Sequence, residues 1–270
     1  MIQVRHLRKT FFPGTPNEVL ALRGVDLEIP LGCFAAIIGT NGSGKSTLLN
    51  AVAGASGIDE GTVEIDGRDI TRWPEHRRAR LIGRVFQNPF AGTAAGMTIA
   101  ENLALAMRRG MVRGLGRALS RKIRQEMADR VRALGMGLED RLDNPIGTLS
   151  GGQRQALTLL MATWLKPRLL LLDEHTAALD PKSAAQVAEL TREIIRRDGL
   201  TALMVTHSMA QAVALPDLIV MMHKGQIVRQ YAGEEKARVR VPDLLGDFDR
   251  VRRREQLDEA VAGLLRVQYR

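Results

Sequence analysis

The chain has 270 residues, 45% of them hydrophobic, which is enough for one large core or a core with a small subdomain. Its single cysteine, Cys33, excludes an intrachain disulfide and reads as a buried structural thiol in a reducing compartment. No stretch approaches the ~20 apolar residues that a membrane helix needs, and the net charge of +9 is gathered in local clusters, which argues against nucleic acid as the partner.

In chain order, Met1 leads straight into the strand-like Ile2–Leu7, with no charged-then-apolar leader, so no secretory signal is expected. Val19–Ile29 and Gly61–Ile65 also read as strands. Between them, the apolar run Cys33–Ile38 enters Gly39-Thr40-Asn41-Gly42-Ser43-Gly44-Lys45-Ser46, and Ser46–Ala53 reads as a helix. A glycine-rich turn between strand and helix fits the phosphate-binding P-loop pattern, and this context argues against a chance glycine turn. The glycines let backbone N–H groups face an anion, and the helix presents its positive end to the same phosphates. In that pattern the Lys45 ammonium reaches the β- and γ-phosphates and the Ser46 hydroxyl ligates the Mg²⁺ that bridges them. Thr47 assists at the α-phosphate.

Further on, Asn88–Met97 is rich in glycine, proline and small residues and reads as a flexible loop, after which Thr98–Ala106 begins a helix. Arg108, Arg109, Arg113, Arg117, Arg121, Lys122, Arg124, Arg130 and Arg132 form a basic stretch, and Arg250 to Arg254 a second patch. Both suit a surface at lipid headgroups, or equally a solvated basic helix. Ser150, Gly151 and Gly152 form a helix N-terminus that wants an anion, with Arg154–Met161 as the helix. Leu169–Leu172 is a short continuous apolar run, the pattern of a strand buried on both faces of a parallel sheet, and it delivers Asp173 and Glu174 at its C-terminal end. Asp173 would hold Mg²⁺ through water, and Glu174 would be the general base that polarises the attacking water. Thr201–Val205 is another strand, followed by His207. Near the end, Leu257, Ala260, Val261, Leu264 and Leu265 recur at helical spacing, a stripe that buries itself on its own core or pairs with a second subunit's tail.

Leu149-Ser150-Gly151-Gly152-Gln153 followed by Arg154-Gln155 resembles the signature sequence of ATP-binding cassette (ABC) ATPases, over roughly residues 1 to 230. By the same resemblance, Gln87 in Val85-Phe-Gln-Asn88 matches the Q-loop, Ala178-Leu-Asp180 the D-loop and His207 in Val205-Thr-His-Ser208 the switch histidine. Phe11 resembles the position whose ring stacks on adenine, with Phe12 the weaker candidate and a buried hydrophobic role for Phe11 as the alternative. The resemblance implies that ATP and Mg²⁺ are bound by residues 39–47. It makes Glu174, His207, Lys45 and Gln87 the catalytic set, and Ser46, Gln87 and Asp173 the metal set. Ser150, Gly151, Gly152, Gln153 and Asp180 would meet a nucleotide held by a second subunit, giving a head-to-tail homodimer around two ATP. His175 stands where most members carry proline and reads as a subfamily marker with no catalytic consequence, the alternative being a tuned catalytic role beside Glu174.

The implied fold is α/β, a P-loop NTPase core of ABC type with a mainly parallel sheet, an N-terminal antiparallel β subdomain and an inserted α-helical subdomain. Residues 1–235 would form the ATP-binding domain, with the helical part at about 90–154, and 236–270 a C-terminal helical extension. The family reading implies an ATPase at the cytoplasmic face of the membrane, powering uptake through a separate permease served by an extracytoplasmic substrate-binding protein. Gln87-Asn-Pro-Phe-Ala-Gly-Thr-Ala, Leu159-Leu-Met-Ala-Thr and Asp173–Asp180 resemble importers of poorly defined cargo, amino acids among the candidates. The alternatives are the ATPase of an exporter or of a soluble assembly complex.

Overall fold

The computed structural model describes residues 1–110, 119–251 and 253. Arg113, Arg117, Arg252, Arg254 and the apolar stripe from Leu257 to Leu265 lie outside the described residues.

Two sheets share the molecule. The first is antiparallel, with order β2-β1-β4-β5, built from β1 (Ile2–Phe11), β2 (Val19–Ile29), β4 (Glu60–Ile65) and the short β5 (Arg68–Asp69). β1 continues four residues beyond the sequence expectation because register shifts between Val4 and Leu7 and between Lys9 and Thr10 break the alternation that marks a strand in sequence.

The second sheet has order β10-β9-β3-β8-β7-β6: β3 (Phe34–Gly39), β6 (Ile82–Val85), β7 (Leu169–Asp173), β8 (Ala202–Val205), β9 (Leu218–His223) and β10 (Gln226–Tyr231). β6, β7, β8, β3 and β9 run parallel, and β10 closes the edge antiparallel to β9. β9 and β10 were not read from sequence, since Leu218–His223 is a short apolar run without alternation.

Helices cover both faces of this sheet, which explains its apolar strands. Along β7, Leu170 and Leu172 enter one core while Leu169 and Leu171 enter the other, all fully buried. Phe34 and Ala36 of β3 face the first core, and Ala35 and Ile37 the second. The first core is filled by α3 (Ile99–Met107), α4 (Arg121–Arg132), α5 (Gly151–Thr163) and α6 (Pro181–Asp198), and the second by α1 (Lys45–Ala53) and the inner face of the antiparallel sheet. Short helices α2 (Glu75–Arg78), α7 (Met209–Ala214) and α8 (Gly233–Arg238) complete the set. A helical segment at 241–251 packs Leu244 and Phe248 against Ile219, Met221 and Tyr231, and Tyr231 donates its hydroxyl proton to Asp247.

The loop 88–97 is tied down despite its small residues. Asn102, 1% exposed, accepts a hydrogen bond from Ala94 N and donates to the carbonyls of Ala94, Met97 and Thr98. Ile146 N and Gly147 N donate to Met97 O and Ala95 O.

Candidate active site

Because β6, β7, β8 and β3 are parallel neighbours, their carboxyl ends share one edge, where open α/β sheets bind ligands. Register fixes what meets there: Ile37 pairs with Val205, Asp173 with Val205, and Val85 with Leu172. The P-loop, the acidic pair, His207 and Gln87 all follow directly from these ends.

The P-loop leaves β3 at Gly39, where a Cβ would lie 2.4 Å from Met222 O and 2.5 Å from Ser43 Oγ, so no side chain fits. Gly44 has φ 97° and caps α1 without any side-chain bond, leaving the first amide N–H groups of the helix to an outside acceptor. Lys45 is 5% exposed, and its Nζ donates to Gly39 O and Thr40 O at 2.9 Å each and reaches Ser43 Oγ at 3.5 Å. Burial lowers the pKa of this ammonium, and the nearby charge of Glu174 partly restores it. Thr40, Asn41, Gly42 and Ser46 are exposed around it, Thr47 is half-buried and Ser43 is buried.

Glu174 adopts φ 45°, a conformation that non-glycine residues rarely take and that clusters at functional sites. Its amide donates to Val205 O at 2.9 Å, which holds the strained residue against β8. The carboxylate is turned toward His207, whose Nε2 lies 2.6 Å from Glu174 Oε1. The imidazole therefore engages the carboxylate of its own chain, a contact that strand order alone did not reveal.

Asp173 Oδ2 is 3.3 Å from Arg84 Nη2, and the same Arg84 nitrogen donates to Asn50 Oδ1 at 2.7 Å. Neither Arg84 nor Asn50 was a sequence candidate. The available signal was an arginine in an otherwise apolar strand, Ile82–Val85, two residues before Phe86.

His175 turns the other way. Its ring, 1% exposed, bonds through Nε2 to Thr191 Oγ1 at 3.0 Å on α6, and burial pushes its pKa down to about 4. A neutral ring packed under α6 fits a structural marker.

The signature segment forms the N-terminus of α5. Ser150 Oγ accepts from Gln153 N while Gln153 Oε1 accepts from Ser150 N, both at 3.3 Å, a capping box. Gly152 lets α5 approach α6, since a Cβ there would lie 2.8 Å from Ser183 Cβ and Oγ. Asp180 caps α6 by accepting from Ser183 N, and that hydrogen bonding lowers its pKa. Downstream of the cap, Gln155 Nε2 donates to Phe86 O at 3.0 Å and the Arg154 guanidinium lies 4.2 Å above the Phe90 ring, so α5 is tied to the segment that carries the exposed Gln87. Phe11 ends β1 half-buried, with Lys9 Nζ 5.6 Å from its ring centre, whereas Phe12 is 66% exposed.

A groove of about 1140 Å³ runs between β6 and the helices, walled by Arg77, Arg80, Arg84, Phe86, Leu105 and Met161, with Phe86 the residue before Gln87.

The cradle suits a chain of phosphates, because Lys45 spends its donors on neutral oxygens that an anion can replace. Among the described residues, no group of three or more His, Cys, Asp or Glu gathers to hold a metal by itself. The exposed Ser46 hydroxyl and the Asp173 carboxylate are oxygen donors of the kind that Mg²⁺ takes alongside phosphates and water. A phosphate cradle and an acidic strand end on one sheet edge, with a histidine on the carboxylate, define a P-loop ATPase.

A family model described as ABC transporter matches residues 22–177, and the chain belongs to that family. It is 40% identical to the tyrosine transport ATP-binding protein of Clostridioides difficile over 92% of this chain and 99% of that protein. It is 32% identical to the methionine import ATP-binding protein MetN of Escherichia coli O157:H7 over 85% of this chain and 65% of MetN. Among solved structures, a dimeric ATP-binding cassette in a post-hydrolysis state bound to ADP and Pi aligns with TM-score 0.73 at 28% identity, over 86% of this chain and 98% of that one.

Proposed function

We propose that the protein is the ATPase subunit of an importer for an amino acid, working with a separate membrane permease. The observation that carries the catalytic part is the Glu174 carboxylate, set at the carboxyl end of β7 with His207 Nε2 at 2.6 Å and within electrostatic reach of Lys45. The cargo reading rests on the tyrosine transport protein, which the chain matches along 99% of its length.

In the reaction, Lys45 exchanges the carbonyls of Gly39 and Thr40 for phosphate oxygens of ATP, and the amides of residues 42–47 take the remaining charge. Ser46, Asp173 and Gln87 would hold Mg²⁺, which when bound neutralises charge on the phosphate oxygens. Glu174 accepts the proton of the attacking water. His207 orients that carboxylate in the resting chain and turns a donor to a phosphate oxygen when substrate arrives. Phe11 stacks on the adenine.

Ser150 to Gln153 and Asp180 act on ATP held by a second copy, in a head-to-tail homodimer enclosing two ATP molecules; the dimeric state of the similar cassette supports this arrangement. We assign residues 1–235 to the ATP-binding domain, with the helical part at about 90–154, and 236–270 to an extension. No helix among the described residues is long and apolar enough to cross a membrane. In this reading a separate permease holds the subunit at the cytoplasmic face, and an extracytoplasmic binding protein reaches it only indirectly, through that permease. The groove walled by Phe86 and Arg84 is where the permease docks.

The test is affinity purification of a Glu174→Gln form with ATP from detergent-solubilised cells, together with tyrosine uptake in a deletion strain carrying wild-type or Lys45→Ala protein. Recovery of a polytopic membrane protein and uptake restored by wild type alone support the reading. Soluble partners only would move it to an assembly ATPase, and unchanged uptake would remove tyrosine as cargo.

A further inference from the structure

We infer that Arg84 is a positioning residue that holds the Asp173 carboxylate in the resting chain and competes with the divalent cation for it. This rests on Asp173 being the metal carboxylate. The two side chains are 15% and 19% exposed, and Arg84 Nη2 stands 3.3 Å from Asp173 Oδ2. The side chain is held from three sides: Nη2 also donates to Asn50 Oδ1 at 2.7 Å on α1, its Cζ lies 4.7 Å from the Phe86 ring centre, and its backbone sits in β6, paired with β7. Its Nε is buried without a hydrogen-bond partner, so the side chain is placed by the carboxylate, the amide and the ring and not by a full set of bonds of its own.

Two consequences follow from this geometry. A carboxylate that already has a cation beside it is oriented toward the carboxyl edge before metal arrives, and it binds that metal more weakly, because two positive charges must share it. Asn50 and Arg84 also connect α1, which begins at Lys45, to the strand that leads to Gln87, so the P-loop helix, the metal carboxylate and the Q-loop strand meet on one guanidinium.

The experiment measures Mn²⁺ binding to the ADP-loaded protein by the electron paramagnetic resonance signal of unbound Mn²⁺, for wild type, Arg84→Gln, Arg84→Lys and Asp173→Asn. Melting temperatures with ADP plus EDTA show that each variant is folded. With the competing charge removed, Arg84→Gln binds Mn²⁺ at least about tenfold more tightly, since a unit charge beside a carboxylate is worth roughly that much even near the aqueous limit and more at a lower effective dielectric constant. Arg84→Lys, which keeps the charge, stays near wild type, and Asp173→Asn binds more weakly. Unchanged or weaker Mn²⁺ binding in Arg84→Gln, with Asp173→Asn still impaired, overturns the competition while leaving Asp173 as metal carboxylate. Unchanged binding in Asp173→Asn overturns both. If Arg84→Gln does not fold, Arg84→Met, which keeps the packing on Phe86, takes its place with the same expected shift.

Discussion

His207 Nε2 and Glu174 Oε1 stand 2.6 Å apart at the carboxyl edge of the parallel sheet, joining the residue after β7 to the loop after β8. This contact makes the two side chains one unit before substrate arrives. Removing the base, as Glu174→Gln, should leave ATP binding intact and lower turnover by about 10²–10⁴-fold. A stable dimer should then accumulate with ATP on size-exclusion chromatography. His207→Ala should slow turnover as well, and Glu174→Gln/His207→Ala should lose less than the product of the two single losses, because the histidine acts in part through the carboxylate. Multiplicative losses measured by steady-state phosphate release would show that the two act separately.

Lys45 is buried on backbone carbonyls in the resting chain, so its ammonium is held ready by oxygens that an anion displaces. Lys45→Ala should weaken ATP by tenfold or more, consistent with the loss of a charge-assisted bond of about 1.5–3 kcal/mol. Calorimetric titration with ATP gives the answer, and wild-type affinity would contradict a phosphate role for this side chain.

Gly152 sets the distance between α5 and α6. Gly152→Val should destabilise the chain by about 1–3 kcal/mol through overpacking against Ser183, and also blunt ATP-driven dimerisation. Gly57→Ala is the control, since a Cβ there meets nothing within 4 Å. Urea denaturation compares them, and equal midpoints would mean that α5 and α6 separate at no cost.

His175 gives the protein an acid weakness. Its folded pKa of about 4 lies below the ordinary histidine value, so between about pH 6.5 and 4 the unfolded chain binds a proton that the folded chain refuses. Stability therefore falls with pH across this window, by up to about 3 kcal/mol at its lower end. Between pH 7 and 5 the melting temperature of His175→Gln should drop less than that of wild type. Equal drops would place the acid sensitivity elsewhere.

The sequence by itself determined the parts whose chemistry is local. A P-loop needs glycines, a lysine and a serine at fixed spacing because its ligand binds to consecutive backbone amides, and a strand buried on both faces must be a continuous apolar run, as Leu169–Leu172 is. Ser150 announced itself at a helix N-terminus for the same reason, since the bond it makes spans three residues. The long-range pairings were not legible. Arg84 meets Asp173 across 89 positions, His207 meets Glu174 across two neighbouring strands, Gln155 reaches Phe86 across 69, and strands β9 and β10 carry no alternation to mark them. Only the tertiary structure decided these, because strand order and register, not spacing along the chain, choose which side chains share the carboxyl edge of the sheet.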